Sequence, residues 1–146
     1  MYKKPGTVVK IANSILGFFT SRGMGPERIH KIEVRGRKSG QLRTAVISVV
    51  EYEGERYLVA PRGNTEWSRN VKAANGDASL LRKDREKVHL EEVPVDQRPP
   101  IIKKYLGENA SATKAYFGVD PDAPIEDFER IAPDHPTFKV ISAAST

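Results

Sequence analysis

Arg35, Arg37, Lys38 and Arg43 place four positive charges within nine residues, with no Asp or Glu among them. The surrounding stretch, residues 34–43, reads Val-Arg-Gly-Arg-Lys-Ser-Gly-Gln-Leu-Arg. Guanidinium and ammonium groups at this density suit the holding of phosphate or carboxylate. Gly36 and Gly40 are able to take φ > 0 and to bring backbone N–H groups close to a ligand, and Ser39 adds a hydroxyl donor between them. Extended, β-branched sequence flanks the run, Ile32 and Val34 before it and Val46 to Val50 after it, so it reads as a tight basic turn between two strands. The same residue types also make ordinary solvated hairpin tips, and the motif alone does not choose between the two.

A second cluster lies in Ala60-Pro61-Arg62-Gly63-Asn64. It follows an apolar strand and precedes a helix whose free N–H groups and dipole form an anion site of their own. The plain alternative is a strand-to-helix loop with a solvated Arg62. Two such sites in one small protein would hold one elongated, multiply charged ligand. Trp67, the single tryptophan, falls in the first turn of that helix. Its ring is placed either to cover a flat heterocycle or to pack in the core. Asn70 comes one turn later, facing a ligand or solvent. Tyr105, Tyr116 and Phe117 are further aromatics that would line a pocket or fill the core.

No Ser-His-Asp, Cys-His or paired-carboxylate arrangement is visible, and neither a G-x-S-x-G nor a P-loop pattern occurs. An enzyme built from this chain would let a bound cofactor carry the reaction. His30, His89 and His135 lack ligand-like spacing and there is no cysteine, so no metal site is expected.

The elements that must position these residues follow from periodicity. Strands are expected at Ile32–Val34, Leu42–Tyr52, Arg56–Ala60, Ala78–Leu81, Lys87–Val93 and Thr137–Ile141. Val46, Ser48, Val50 and Tyr52 share one face of the second strand, and Ala45, Ile47 and Val49 the other. Glu53-Gly54 and the charged segment Arg82 to Arg85 are turns, and the first three strands read as an antiparallel meander. A helix capped by Asn64 or Thr65 spans about Glu66–Ala74, with Trp67, Val71 and Ala74 on its apolar face, and stops at Asn75-Gly76. Pro99-Pro100 opens a helix through Leu106, and short helical pieces follow around Ala112–Phe117 and Ile125–Ile131. About six strands with peripheral helices give an α+β protein, best accommodated as a small antiparallel barrel.

At 146 residues the chain is expected to form a single domain, with a composition (38% hydrophobic, 29% charged) ordinary for a globular protein. Its net charge of +5 favours acidic ligands, nucleic acid or anionic membranes without choosing among them. Near the N-terminus, Val8, Ala12, Ile15 and Phe19 fall on one face, giving an amphipathic helix that ends near Gly23 and packs on the barrel. Lys10, Asn13 and Ser14 interrupt the apolar run and no A-x-A site follows, so export is disfavoured and a cytoplasmic location is expected. Few cations lie on the polar face, which disfavours a membrane-surface role.

Taken together, Gly36-Arg37-Lys38-Ser39-Gly40-Gln41-Leu42-Arg43, Ala60-Pro61-Arg62-Gly63-Asn64 and Trp67-Ser68-Arg69-Asn70 resemble the deazaflavin-dependent nitroreductase family. Its members are split β-barrel proteins that use coenzyme F420 and are found largely in actinobacteria. The likeness runs from about Ile32 to the C-terminus and includes the ending Arg130-Ile131-Ala132-Pro133-Asp134-His135-Pro136. The coenzyme is a flat tricycle with a phosphate and an oligoglutamate tail.

By motif position, the resemblance implies that Arg37, Lys38, Ser39 and Arg43 hold the tail and phosphate. Arg62 and Gly63, with Ala60 and Pro61 beside them, would bind near the phosphate or ring edge, flanked by Trp67 and Asn70. Val46 and Ser48 would lie beneath the deazaflavin, and hydride would pass to a small quinone-like, enone or nitro acceptor. The sequence also departs from nitroimidazole-reducing members. Ser48 stands about where they carry Tyr, Arg62 replaces Lys, and Leu42 replaces a common Pro. Arg62 keeps the charge, so the cofactor assignment stands, whereas the smaller residue at 48 alters the substrate wall. Related split-barrel flavoproteins make FMN the rival cofactor, and a non-catalytic anion-binding or nucleic-acid-binding module is the rival class, although no nucleic-acid motif is visible. Either a monomer or a homodimer is compatible with this reading.

Overall fold

The computed structural model describes residues 28–63 and 65–142, the side chains of 111–114 excepted. The N-terminal amphipathic helix expected up to Gly23 lies outside the described residues.

Six strands among the described residues close an antiparallel barrel: β1 (Ile29–Arg35), β2 (Leu42–Tyr52), β3 (Glu55–Val59), β4 (Asp77–Leu81), β5 (Arg85–Glu92) and β6 (Thr137–Ser142). Their order around the barrel is β1-β2-β3-β6-β5-β4, with β1 pairing back onto β4. The first three strands do form a meander, but β6 inserts between β3 and β5 instead of extending it. Strands β4 and β5 begin at Asp77 and Arg85, slightly before the expected starts, so Arg85 pairs with Leu81 and leaves the turn. Tyr52 opposite Glu55 leaves the two-residue turn Glu53-Gly54, whose φ values of 52° and 80° suit strand twist.

β2 is rich in β-branched residues and is buried on both faces over its middle. Ile47 and Val49 point into the barrel with Ile32, Val34, Leu58, Leu80 and Phe138. Val50 points outward into a second core, shared with Ile101, Ile102, Tyr105, Leu106 and Phe128. That outer core is supplied by α2 (Pro99–Phe117) and α3 (Ile125–Ile131). The helical piece expected near the end of α2 is continuous with it, across a non-helical backbone at Asn109 (φ −128°, ψ 22°).

The helix α1 (Glu66–Ala73) seals one end of the barrel. Val71 is buried in the interior cluster and Trp67 packs against it, with the Trp67 ring 5.8 Å from that of Phe138. Thr65 takes the N-cap position with extended backbone, but its side chain makes no capping bond. Asn75 and Gly76 end the helix in the left-handed region, at φ 56° and 88°. Glycine is required at 76 on two counts, since a Cβ there would also sit 2.4 Å from the Leu90 carbonyl oxygen. Among the described residues no helix is long and apolar enough to cross a membrane.

Candidate functional site

The β1–β2 register pairs Arg35 with Leu42, so residues 36–41 form the loop expected from the glycines and cations. Gly40 adopts φ 74° and its N–H donates to the Gly36 carbonyl at 2.9 Å. Gly36 does not take the left-handed conformation foreseen for it. A Cβ there would be crowded, 3.2 Å from both Gln41 O and Ser39 Oγ.

Four of the loop's backbone donors are already engaged, three within the loop and one by α1. Gly36 N–H donates to Gln41 O (2.7 Å), Gln41 N–H to Ser39 Oγ (3.2 Å), and Arg37 N–H to Asn70 Oδ1 (3.1 Å). The N–H groups of Gly36 and Gly40 are therefore not what this loop offers an anion. Its side chains are.

The loop folds onto α1, which distinguishes it from a solvated hairpin tip. Asn70, 4% exposed, accepts from Arg37 twice, at the backbone N–H and at Nη1 (2.8 Å). Glu66, one turn earlier on the same helix face, pairs with Arg37 at 3.0 Å. The Arg37 guanidinium holds the Glu66 carboxyl below the usual carboxylate range.

Between the loop and α1 lies a cleft of about 410 Å³. Arg37, Lys38, Ser39 and Arg43 line it from the loop and β2, and Arg62, Trp67 and Asn70 from the other side. Residues separated in sequence by up to 33 positions are thus brought to one opening. Lys38 and Arg43 are exposed and form no ion pair among the described residues. The Arg62 guanidinium stands 5.8 Å above the centre of the Tyr116 ring, and Tyr116 itself is 43% exposed. Trp67 both lines the cleft and packs on the core, so the two readings of its ring are compatible. Tyr105 and Phe117 are buried, 5.9 Å apart between ring centres, and belong to the outer core.

The other expected site residues stand outside the cleft lining. Ala60 is fully buried, its N–H on the Pro136 carbonyl and its own carbonyl on His135. Gly63 uses φ 85° to turn the chain after Pro61 and Arg62. Val46 and Ser48 lie on the outer face of β2. That face runs from Thr44 in the cleft to Val50 beneath α2, with Ser48 about 13 Å from Thr44 at the usual strand rise. Ser48 is 5% exposed, and its hydroxyl is the one buried side-chain polar atom without a hydrogen-bond partner among the described residues.

Two contributors escaped the sequence reading. Glu66 reads in sequence as an ordinary acidic first-turn residue. His135 entered the sequence reading only among the histidines without ligand-like spacing and as part of the ending Arg130–Pro136, yet its Nδ1 lies 3.1 Å from the Ala60 carbonyl and its ring centre 4.4 Å from that of Phe117, bracing the Ala60–Gly63 loop.

Burial holds the His135 imidazole below the ordinary value of 6.5, against the opposing pull of the Ala60 and Pro61 carbonyls and Asp134; Arg98 lowers it further. Burial lowers His30 likewise. In the unfolded chain such a histidine takes its proton first as pH falls, so stability is lost on acidification below about 6.5 until the folded value is passed. The slope is at most about 1.4 kcal/mol per pH unit for each histidine. Urea midpoints between pH 7 and 5 should fall for the wild type and fall less for His135→Gln. The carboxylates held low by arginines, Glu66 and Glu86, titrate below this window. Parallel curves for the two proteins would remove His135 as the source.

Residues 19–125 match the family described as F420H(2)-dependent quinone reductase. No curated protein matches. Among solved structures, one described as a domain-swapped dimer superposes with a TM-score of 0.55 at 23% identity, covering 91% of this chain and 96% of the other. The structure of an F420-H2 dependent reductase (FDR-A) gives 0.52 at 22% identity, over 77% and 93% of the two chains. A protein of unknown function from Agrobacterium tumefaciens str. C58 gives 0.57 at 14% identity, over 96% of this chain and 56% of that one. At these identities the superpositions carry the fold, a split barrel. The sequence match spans most of the chain and carries more: this protein belongs to the F420H(2)-dependent quinone reductase family and is an oxidoreductase dependent on coenzyme F420.

Proposed function

We propose that the cleft between the β1–β2 loop and α1 holds the acidic tail and phosphate of coenzyme F420, with the ring over Val46 and Ser48, and that the protein reduces a small quinone-like acceptor. The observation that carries this reading is the convergence of Lys38, Arg43 and Arg62 on one opening walled by Trp67. Residues and coenzyme fit chemically. Three cations meet a polyanion, an indole meets a flat tricycle, and the orphaned Ser48 hydroxyl has a hydrogen bond to give.

The bound, reduced deazaflavin supplies hydride to the acceptor. The chain's own work is binding and orientation. Lys38 and Arg43 capture carboxylates or phosphate through charge-assisted hydrogen bonds. Asn70 fixes the loop that carries Arg37 and Lys38, and His135 fixes the loop that carries Arg62. Trp67 supplies a flat apolar wall, which limits the poses open to the ring and acceptor. Serine at 48 leaves room where a tyrosine would narrow the substrate side. That favours a quinone or enone over the nitro compounds for which a phenol would be a hydrogen-bond partner.

FMN is the competing ligand, because its phosphate would also seat on Lys38 and Arg43, but it offers no chain of further carboxylates for Arg62 and Arg37. Titration of the protein with each cofactor, followed by fluorescence quenching, should show tighter binding of F420. Tight FMN binding with no response to F420 would overturn the reading. Oxidation of reduced F420 with a quinone, an enone and a nitroarene would then rank the acceptors. We also take residues 1–146 as one barrel domain. The relative described as a domain-swapped dimer lends support to a homodimer, which sedimentation velocity would test.

A further inference from the structure

Glu66 is the one carboxylate among the described residues lining the cleft, in a surface otherwise supplied with Arg37, Lys38, Arg43 and Arg62. Its position is unfavourable for a site that binds anions and calls for a reason. The Arg37 guanidinium is held from two sides. Asn70 is buried and takes Nη1 at 2.8 Å as well as the Arg37 backbone N–H. Glu66 takes Nη1 at 3.0 Å and Nη2 at 3.4 Å. These two partners differ in freedom. Asn70 cannot leave without opening the loop, whereas the Glu66 side chain is 73% exposed and can rotate into solvent. An ion pair this exposed is weak enough to exchange for a better anion.

We propose that Glu66 is a specificity-determining residue of the cofactor cleft: it occupies Arg37 in the free protein and is displaced by the acidic tail of the coenzyme. The inference rests on the reading of the cleft given above. Asn70 keeps Arg37 in place throughout, so only the partner of its charge changes. A ligand with one anionic group, satisfied by Lys38 and Arg43, leaves Glu66 where it is. A ligand with several reaches Arg37 and must overcome Glu66, which lowers affinity and speeds release. The carboxylate thus tunes how fast a multiply charged cofactor leaves the cleft.

The test is a double-mutant cycle on Glu66→Gln and Arg37→Gln, read by the dissociation constant and the dissociation rate of coenzyme F420 bearing its oligoglutamate tail. Glutamine at 66 keeps the shape, and the site is exposed, so folding is preserved. Glu66→Gln should tighten binding about three- to tenfold, chiefly through slower dissociation, and the same change in the Arg37→Gln background should do nothing. Unchanged or weaker binding by Glu66→Gln, with the wild type binding F420, would overturn the displacement alone. So would an equal gain in both backgrounds, which would mark Glu66 as a general repulsive charge. Failure of the wild type and Glu66→Gln alike to bind F420 would overturn the reading of the cleft itself, and this inference with it.

Discussion

Replacing Arg43 and Arg62 together by alanine should weaken the binding of coenzyme F420 by at least ~100-fold while leaving the barrel folded. The two cations approach the cleft from opposite sides, Arg43 from the start of β2 and Arg62 from the loop after β3. A charge-assisted hydrogen bond to an anionic ligand contributes about 1.5–3 kcal/mol. The low end applies to Arg43, which is exposed and screened by solvent. Two such losses sum to about 3 kcal/mol, a little over two decades in affinity. Neither side chain belongs to either hydrophobic core: Arg43 is exposed, and Arg62 is half-buried with its guanidinium over the Tyr116 ring. The thermal midpoint should therefore move little. Calorimetric titration of the double variant and each single variant checks the result, and raising the salt should weaken the wild type more than the double variant. Unchanged affinity in the double variant would mean that the coenzyme is held elsewhere and that the loop is a surface hairpin.

The local parts of this site were legible in the sequence. Loop 36–41 follows from glycine, serine and cations set between two β-branched runs, and its hairpin pairing is local. Helix α1 follows from Trp67 and Val71 one turn apart and from the Asn75-Gly76 stop. Closure of the barrel was not legible in the same way. The β1–β4 and β3–β6 ladders join segments about 50 and 80 residues apart, and alternation within a strand does not say which edge it meets. The backbone cradle foreseen at Gly36 and Gly40 failed because the loop spends those N–H groups on its own carbonyls. Arg37 likewise looks in sequence like any other cation of the run. Only the packing of the loop on α1, 33 residues away, shows it shared between Asn70 and Glu66. The brace from His135 to Ala60 spans 75 residues and leaves no local trace at all.

Ser48→Ala should make the protein more stable and a poorer enzyme. The Ser48 hydroxyl is buried and unpartnered among the described residues. An unsatisfied buried hydroxyl costs about 1–3 kcal/mol relative to a satisfied one, and alanine, which lacks only the oxygen, removes that penalty with little change in volume. A gain of about 1 kcal/mol corresponds to roughly 2–4 °C in thermal midpoint for a domain of this size. A buried group kept unsatisfied against stability calls for a reason, and a ligand that completes it supplies one. On the outer face of β2, between Thr44 in the cleft and Val50 under α2, the ligand that would complete it is the coenzyme ring. Loss of one neutral hydrogen bond of about 1–1.5 kcal/mol should then weaken F420 binding roughly five- to tenfold. Thermal midpoints of both proteins, with and without saturating F420, separate the two contributions: the variant should start higher and gain less from the cofactor. A variant that loses stability yet binds F420 as the wild type does would assign the hydroxyl to the fold. The coenzyme ring would then have to lie away from β2.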